Sequence, residues 1–119
     1  MIPSRIMAMG NSAGSTSAIC GGGTSGLTAL GSTAADALQL STSMNRISGG
    51  AGSSGVKLPP TEMGMECWIR NDSGQTILVY PYSVASTINA AAASFSVATA
   101  KTAVFKADSG TTIMGGLLA

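Results

Sequence analysis

Residues 65–80 read Met65-Glu66-Cys67-Trp68-Ile69-Arg70-Asn71-Asp72-Ser73-Gly74-Gln75-Thr76-Ile77-Leu78-Val79-Tyr80. Met65, Cys67 and Ile69 alternate with Glu66, Trp68 and Arg70, the two-residue period of a strand with one buried face. Asn71 to Gly74 is a cluster of turn formers whose glycine tolerates positive φ. Thr76 to Tyr80 is β-branched and aromatic, and Pro81 stops it. Two such strands around a short turn predict a hairpin, and with it an all-β fold of antiparallel pairs.

Outward from this stretch the same signs recur. Val56-Lys57-Leu58 runs into Pro59-Pro60, which forbids continuation as a central strand. Thr87-Ile88-Asn89 reads as a short strand or turn. Ala90 to Ala93 has helical propensity but no cap and too little length, so it reads as a loop. Ser94–Val97, Thr102–Ala107 and Thr111–Met114 predict further short strands, the last two joined by a turn at Asp108-Ser109-Gly110. Towards the N-terminus, Leu38, Leu40, Thr42 and Met44 alternate with Gln39, Ser41 and Ser43. That pattern favours a strand over 38–47, with a short earlier one at 27–30, over a two-turn helix capped by Ser32. Ser48 to Gly55 reads as a loop. The expectation for 27–119 is therefore a small antiparallel β-barrel or jelly-roll-like sandwich. Residues 1–26 carry Ile2, Ile6, Met7, Met9 and Ile19 on a Gly/Ser/Ala/Thr background. They sustain no period of 2 or 3.6 and predict an extended N-terminal arm.

The composition narrows the function. Of 119 residues only 9% are charged, with net charge +1, which leaves no basic stripe for a nucleic-acid backbone. Histidine is absent, removing the commonest general base and the commonest metal ligand. Cys20 and Cys67 lie far apart in sequence and read as two reduced thiols, with no metal or cofactor site. No apolar run fits a secretory signal or reaches the roughly 20 residues of a membrane span. Leu, Ile, Val and Phe together number 23, whereas Gly, Ala, Ser and Thr number 63. So thin a supply of bulky side chains predicts a domain that completes its burial against other subunits.

No catalytic constellation emerges. The glycine runs at 21–23 and 49–50 lack a phosphate-loop context, and Lys57, Lys101 and Lys106 carry no nucleophile motif. Asp72 and Asp108 sit in predicted turns, their usual place. Trp68, Tyr80 and Tyr82 would suit a sugar-stacking platform, but packing within the sheet or at a subunit interface is favoured for Trp68 and Tyr80. The chain does not read as an enzyme.

Several short motifs then occur in a recognisable order: Gly55-Val56-Lys57-Leu58-Pro59, Ile69-Arg70-Asn71-Asp72-Ser73-Gly74, Leu78-Val79-Tyr80-Pro81, Thr87-Ile88-Asn89 and Lys101-Thr102-Ala103-Val104-Phe105. With Thr28 to Leu40, this series resembles a small family of tailed-bacteriophage virion proteins of the capsid cement, or decoration, type. The resemblance covers 27–114 and carries no catalytic residues. It implies a trimeric β-rich protein on the virion surface, assembled in the host cytoplasm, that binds across junctions of the major capsid protein and stabilises the mature head. In that setting Ile2, Arg5, Ile6, Met7 and Met9 of the arm are expected as capsid anchors, and Trp68 and Tyr82 as subunit-interface or surface aromatics. A different role for a virion protein of this kind is a head-fibre or tail adhesin that binds host surface glycan. Neither role calls for nucleic acid, membrane or a cofactor.

Overall fold

The computed structural model of the chain describes residues 22–90 and 94–118, so Ile2, Arg5, Ile6, Met7, Met9 and Cys20 lie outside the described residues. Those described form ten strands and no helix. The first six are β1 (Gly23–Thr28), β2 (Leu38–Gln39), β3 (Met44–Gly49), β4 (Gly55–Lys57), β5 (Glu66–Asn71) and β6 (Ile77–Tyr80). β1, β3 and β5 lie side by side and parallel in one sheet; β2, β4 and β6 do the same in a second. The chain thus visits the two sheets alternately and moves one strand spacing along at each circuit. Gly23, Met44 and Trp68 fall in one row, and Leu38, Val56 and Val79 in another.

The remaining strands are β7 (Thr87–Ile88), β8 (Phe95–Val97), β9 (Lys101–Ala107) and β10 (Thr112–Leu118). β9 runs antiparallel to both β5 and β10, β8 runs antiparallel to β6, and β7 pairs parallel with β10. The result is a six-stranded sheet in the order β1-β3-β5-β9-β10-β7 facing a four-stranded sheet in the order β2-β4-β6-β8. The all-β class stands. The barrel and the jelly roll do not, because the parallel coils stack in a β-solenoid-like arrangement.

The predicted hairpin at 65–80 is corrected as well. β5 and β6 belong to different sheets, and the turn between them carries the chain from one to the other along the surface. Asn71 explains why. Its side chain is fully buried; Nδ2 donates to the carbonyls of Gln75 (2.7 Å) and Val97 (2.8 Å), and Oδ1 accepts from the Ser73 amide and hydroxyl. These bonds fold the chain inward and tie it to β8. Alternation puts every second residue inside whether two strands pair or face each other, so the pattern itself holds: Cys67, Ile69, Ile77 and Val79 are all buried. The single strand expected over 38–47 is split for a similar reason. Gln39 Nε2 donates to the Leu58 carbonyl (2.9 Å), the chain turns at 41–43, and Asn45, held by Thr42, takes the inward position. Met44 is consequently outside. The turn at Asp108-Ser109-Gly110 does join a true hairpin, with Ile113 opposite Ala107.

The core lies between the sheets. Leu40, Ile47, Val56, Leu58, Ile69, Ile77, Val79, Val97 and Ile113 surround Phe105, whose ring meets Phe95 edge-on at 5.3 Å. Each such side chain contributes about 1.5–3 kcal/mol when removed from water.

Candidate interaction surface

Directly paired residues share a face of a sheet, so the register defines what the outer side of the six-stranded sheet presents. Its central row is Gly23–Met44–Trp68–Val104–Gly116. The row crosses five strands, about 20 Å at the usual strand spacing. On one side of it lies the row Glu66–Lys106–Met114, and on the other Arg46–Arg70–Thr102–Leu118. Met44, Met114 and Leu118 are 52%, 57% and 43% exposed, and Trp68 and Val104 are half-buried. Glycine at both ends keeps the relief low; a Cβ on Gly116 would meet nothing within 4 Å. The face is an apolar shelf on a twisted but open sheet.

Charged groups fix its margins. Trp68 Nε1 donates to Glu66 Oε1, and Glu66 Oε2 lies 3.6 Å from Lys106 Nζ. The indole bond, aided by Lys106, holds the Glu66 carboxyl below its usual range despite partial desolvation. The one polar side-chain atom of Trp68 is thus satisfied within the chain, leaving its ring for contact. On the other margin Arg46 and Arg70 stand directly opposite each other, an unfavourable pairing of like charges. Asp72 offsets it, accepting from Arg46 Nε at 2.8 Å and from Arg70 Nε at 2.9 Å. Arg70 first, then Arg46, lowers the Asp72 pKa.

The three aromatics do not form one platform. Trp68 is on the outer face of the six-stranded sheet, whereas Tyr80 ends β6 of the other sheet and Tyr82 follows Pro81, 46% exposed. Tyr80 and Tyr82 do meet in an open cleft of about 180 Å³, shared with Lys57, Pro81, Val84 and Ala34. Lys57, Ser83 and the two tyrosines bring the polar groups to its walls.

Among the described residues no group of three or more His, Cys, Asp or Glu side chains could hold a metal ion. Cys67 is fully buried, and burial pushes its thiol up to about 12, opposed by a bond from Asn45 Nδ2. A thiol so far above neutrality is not a nucleophile. The chain matches no protein-family model, no curated protein and no solved structure. Of the surface residues, the sequence singled out Trp68 and Tyr82. Met44, Val104, Met114 and Leu118 escaped notice because only long-range register brings them beside Trp68.

Proposed function

We propose that this chain is a bacteriophage capsid decoration protein, attached as a homotrimer across junctions of the major capsid protein and stabilising the head by binding alone. The outer face of the six-stranded sheet is the observation that supports this reading most. An apolar row through Met44, Trp68 and Val104, extended by Met114 and Leu118, is what a protein short of bulky side chains needs to finish its burial. Its charged margins are largely self-neutralised by Glu66–Lys106 and Asp72 with two arginines, so attachment depends little on salt. Binding only the expanded head shifts the equilibrium towards it by mass action. The resemblance of the motif order in 27–114 is what points to the major capsid protein as the partner. The arm residues Ile2, Arg5, Ile6, Met7 and Met9 remain proposed contacts.

Electron cryo-microscopy of virions tests the proposal. Many copies seated over capsid-subunit junctions, sheet face inward, are expected. A few copies at the tail, with that face in solvent, would contradict it. That outcome would favour the second reading, an adhesin, for which the Tyr80–Tyr82–Lys57 cleft is the supporting feature. Its size suits a single sugar ring stacked on a tyrosine.

A further inference from the structure

The two sheets pack face to face over the core, so their outer faces point in opposite directions. A chain seated on a partner by the Met44–Trp68–Val104 row leaves the four-stranded sheet facing solvent. In that sheet Val56 and Val79 are paired and fully buried, so alternation turns the next pair, Lys57 and Tyr80, outward. With Tyr82 they line the open cleft of about 180 Å³.

Local packing builds this cleft. A Cβ on Gly55 would lie 2.5 Å from Cε2 of Tyr80, so the glycine leaves the space that the Tyr80 ring fills as it reaches across to β4. At its far end the Tyr80 hydroxyl donates to the Ser32 carbonyl at 3.4 Å. The turn after Ser32 is closed by Asp36, whose carboxylate accepts from the Thr33 amide at 2.9 Å and from its hydroxyl at 2.8 Å. That turn sets Ala34 and Ala35 on the wall, where small side chains keep the cleft open. Tyr82 follows Pro81 and is 46% exposed. One ring is thus pinned and the other is presented to solvent. Charge then decides what the cleft takes. The ion pairs of the described residues use Arg46, Arg70 and Lys106, all on the other sheet, and Asp36 is engaged by Thr33. Lys57 is a half-buried cation with no acidic partner among the described residues. An ammonium beside two aromatic rings matches a ligand that has both an apolar ring face and a negative group.

We propose that the Tyr80–Tyr82–Lys57 cleft binds an acidic sugar, a pyranose ring carrying a carboxylate, with a C–H face of the ring on a tyrosine and the carboxylate on the Lys57 ammonium. A neutral sugar lacks the second contact. The inference rests on the reading of this cleft as a sugar site and narrows it to glycans that contain uronic-acid units. It is compatible with a capsid seat on the opposite face and does not depend on one.

Magnetic-resonance titration of the full-length protein with methyl glucuronide tests it. Methyl glucoside supplies the ring without the charge, and sodium acetate the charge without the ring. The glucuronide is expected to shift the Tyr80 and Tyr82 ring signals and to bind about tenfold more tightly than the glucoside, with acetate leaving both rings unmoved. The indole N–H of Trp68, the one tryptophan of the chain and on the opposite face, should stay still throughout. Lys57→Met should bring the glucuronide down to the affinity of the glucoside, and Tyr82→Ala, at an exposed position, should weaken both sugars. Should Lys57→Met disturb the fold, Lys57→Gln replaces it, with the same loss expected. Equal affinity for the two sugars, or a preference for the glucuronide that survives the loss of Lys57, would overturn the acidic assignment and leave a sugar cleft standing. Tyrosine signals that respond to neither sugar up to about 100 mM would overturn the sugar reading itself. Equal shifts with acetate would reduce the site to an ion pair and overturn the proposal as well.

Discussion

In β1 to β6 each strand finds its neighbour far along the chain: 18 residues from Leu38 to Val56 and 24 from Met44 to Trp68. β9 and β10 find each other across one tight turn, with Asp108 and Thr112 already hydrogen-bonded through their side chains. The two regions also stop their turns differently. The coiled region uses buried amides, Asn45 and Asn71, whose bonds reach strands in both sheets; the hairpin region uses hydroxyls nearer the surface, chiefly the half-buried Ser109. The turns of the coils therefore rest on a few interior polar groups, beneath a core of aliphatic side chains. The antiparallel region has Phe105, the bulkiest of the fully buried side chains, at its centre.

That difference sets the order of expected effects. Phe105→Ala should be the most damaging, at about 3–5 kcal/mol, because the ring is fully enclosed and its neighbours belong to two sheets. Urea denaturation measures it, and a loss below that of Ile47→Ala in the coils would contradict the central place given to the Phe105 ring. Asn71→Ala comes next, at about 1–3 kcal/mol for a buried group left without its partner. A neutral result by the same measurement would mean that the crossing between sheets is not held by this amide.

Two neighbouring glycines of β10 sharpen the contrast. A Cβ on Gly115 would lie 2.7 Å from the Phe105 ring, whereas one on Gly116 would be free. Gly115→Ala should lower the thermal midpoint, by an overpacking cost of about 1–3 kcal/mol, and Gly116→Ala should not. Equal midpoints for both variants would count against the packing described.

The smallest effect is electrostatic. The Asp72 carboxyl is held below its usual range by Arg70 and Arg46. A group with a lowered native pKa stabilises the fold above its unfolded value and ceases to do so as pH falls through the native one. Asp72→Asn should therefore weaken the protein near neutral pH, and the gap to wild type should close on acidification and in high salt. A gap that widens in acid would refute the pairing.

What could be read beforehand follows the same division. The Asp108-Ser109-Gly110 hairpin was legible because turn chemistry and strand alternation lie within a few residues. The alternation through Cys67 and Ile69 was legible too, but not its partner. Asn71-Asp72-Ser73-Gly74 looks the same whether it closes a hairpin or crosses between sheets, and the deciding bond, from Asn71 to the Val97 carbonyl, comes from a strand 26 residues away. Phasing failed at Met44 because Thr42 and Asn45 bond each other and reset the alternation. The apolar shelf was half legible: Trp68 stands out in any reading, while Val104 and Leu118 acquire meaning only through register.

Attachment through the sheet face is open to one decisive assay. Virions stripped of the protein are recharged with wild type or with Met44→Asp, a substitution at an exposed position, and retention is followed from about 0.1 to about 1 M NaCl. Wild type should stay bound across the whole range and Met44→Asp should be lost even at the lowest salt, with unchanged melting. Release of the wild type by salt, together with full retention of Met44→Asp, would contradict an apolar seat on the capsid.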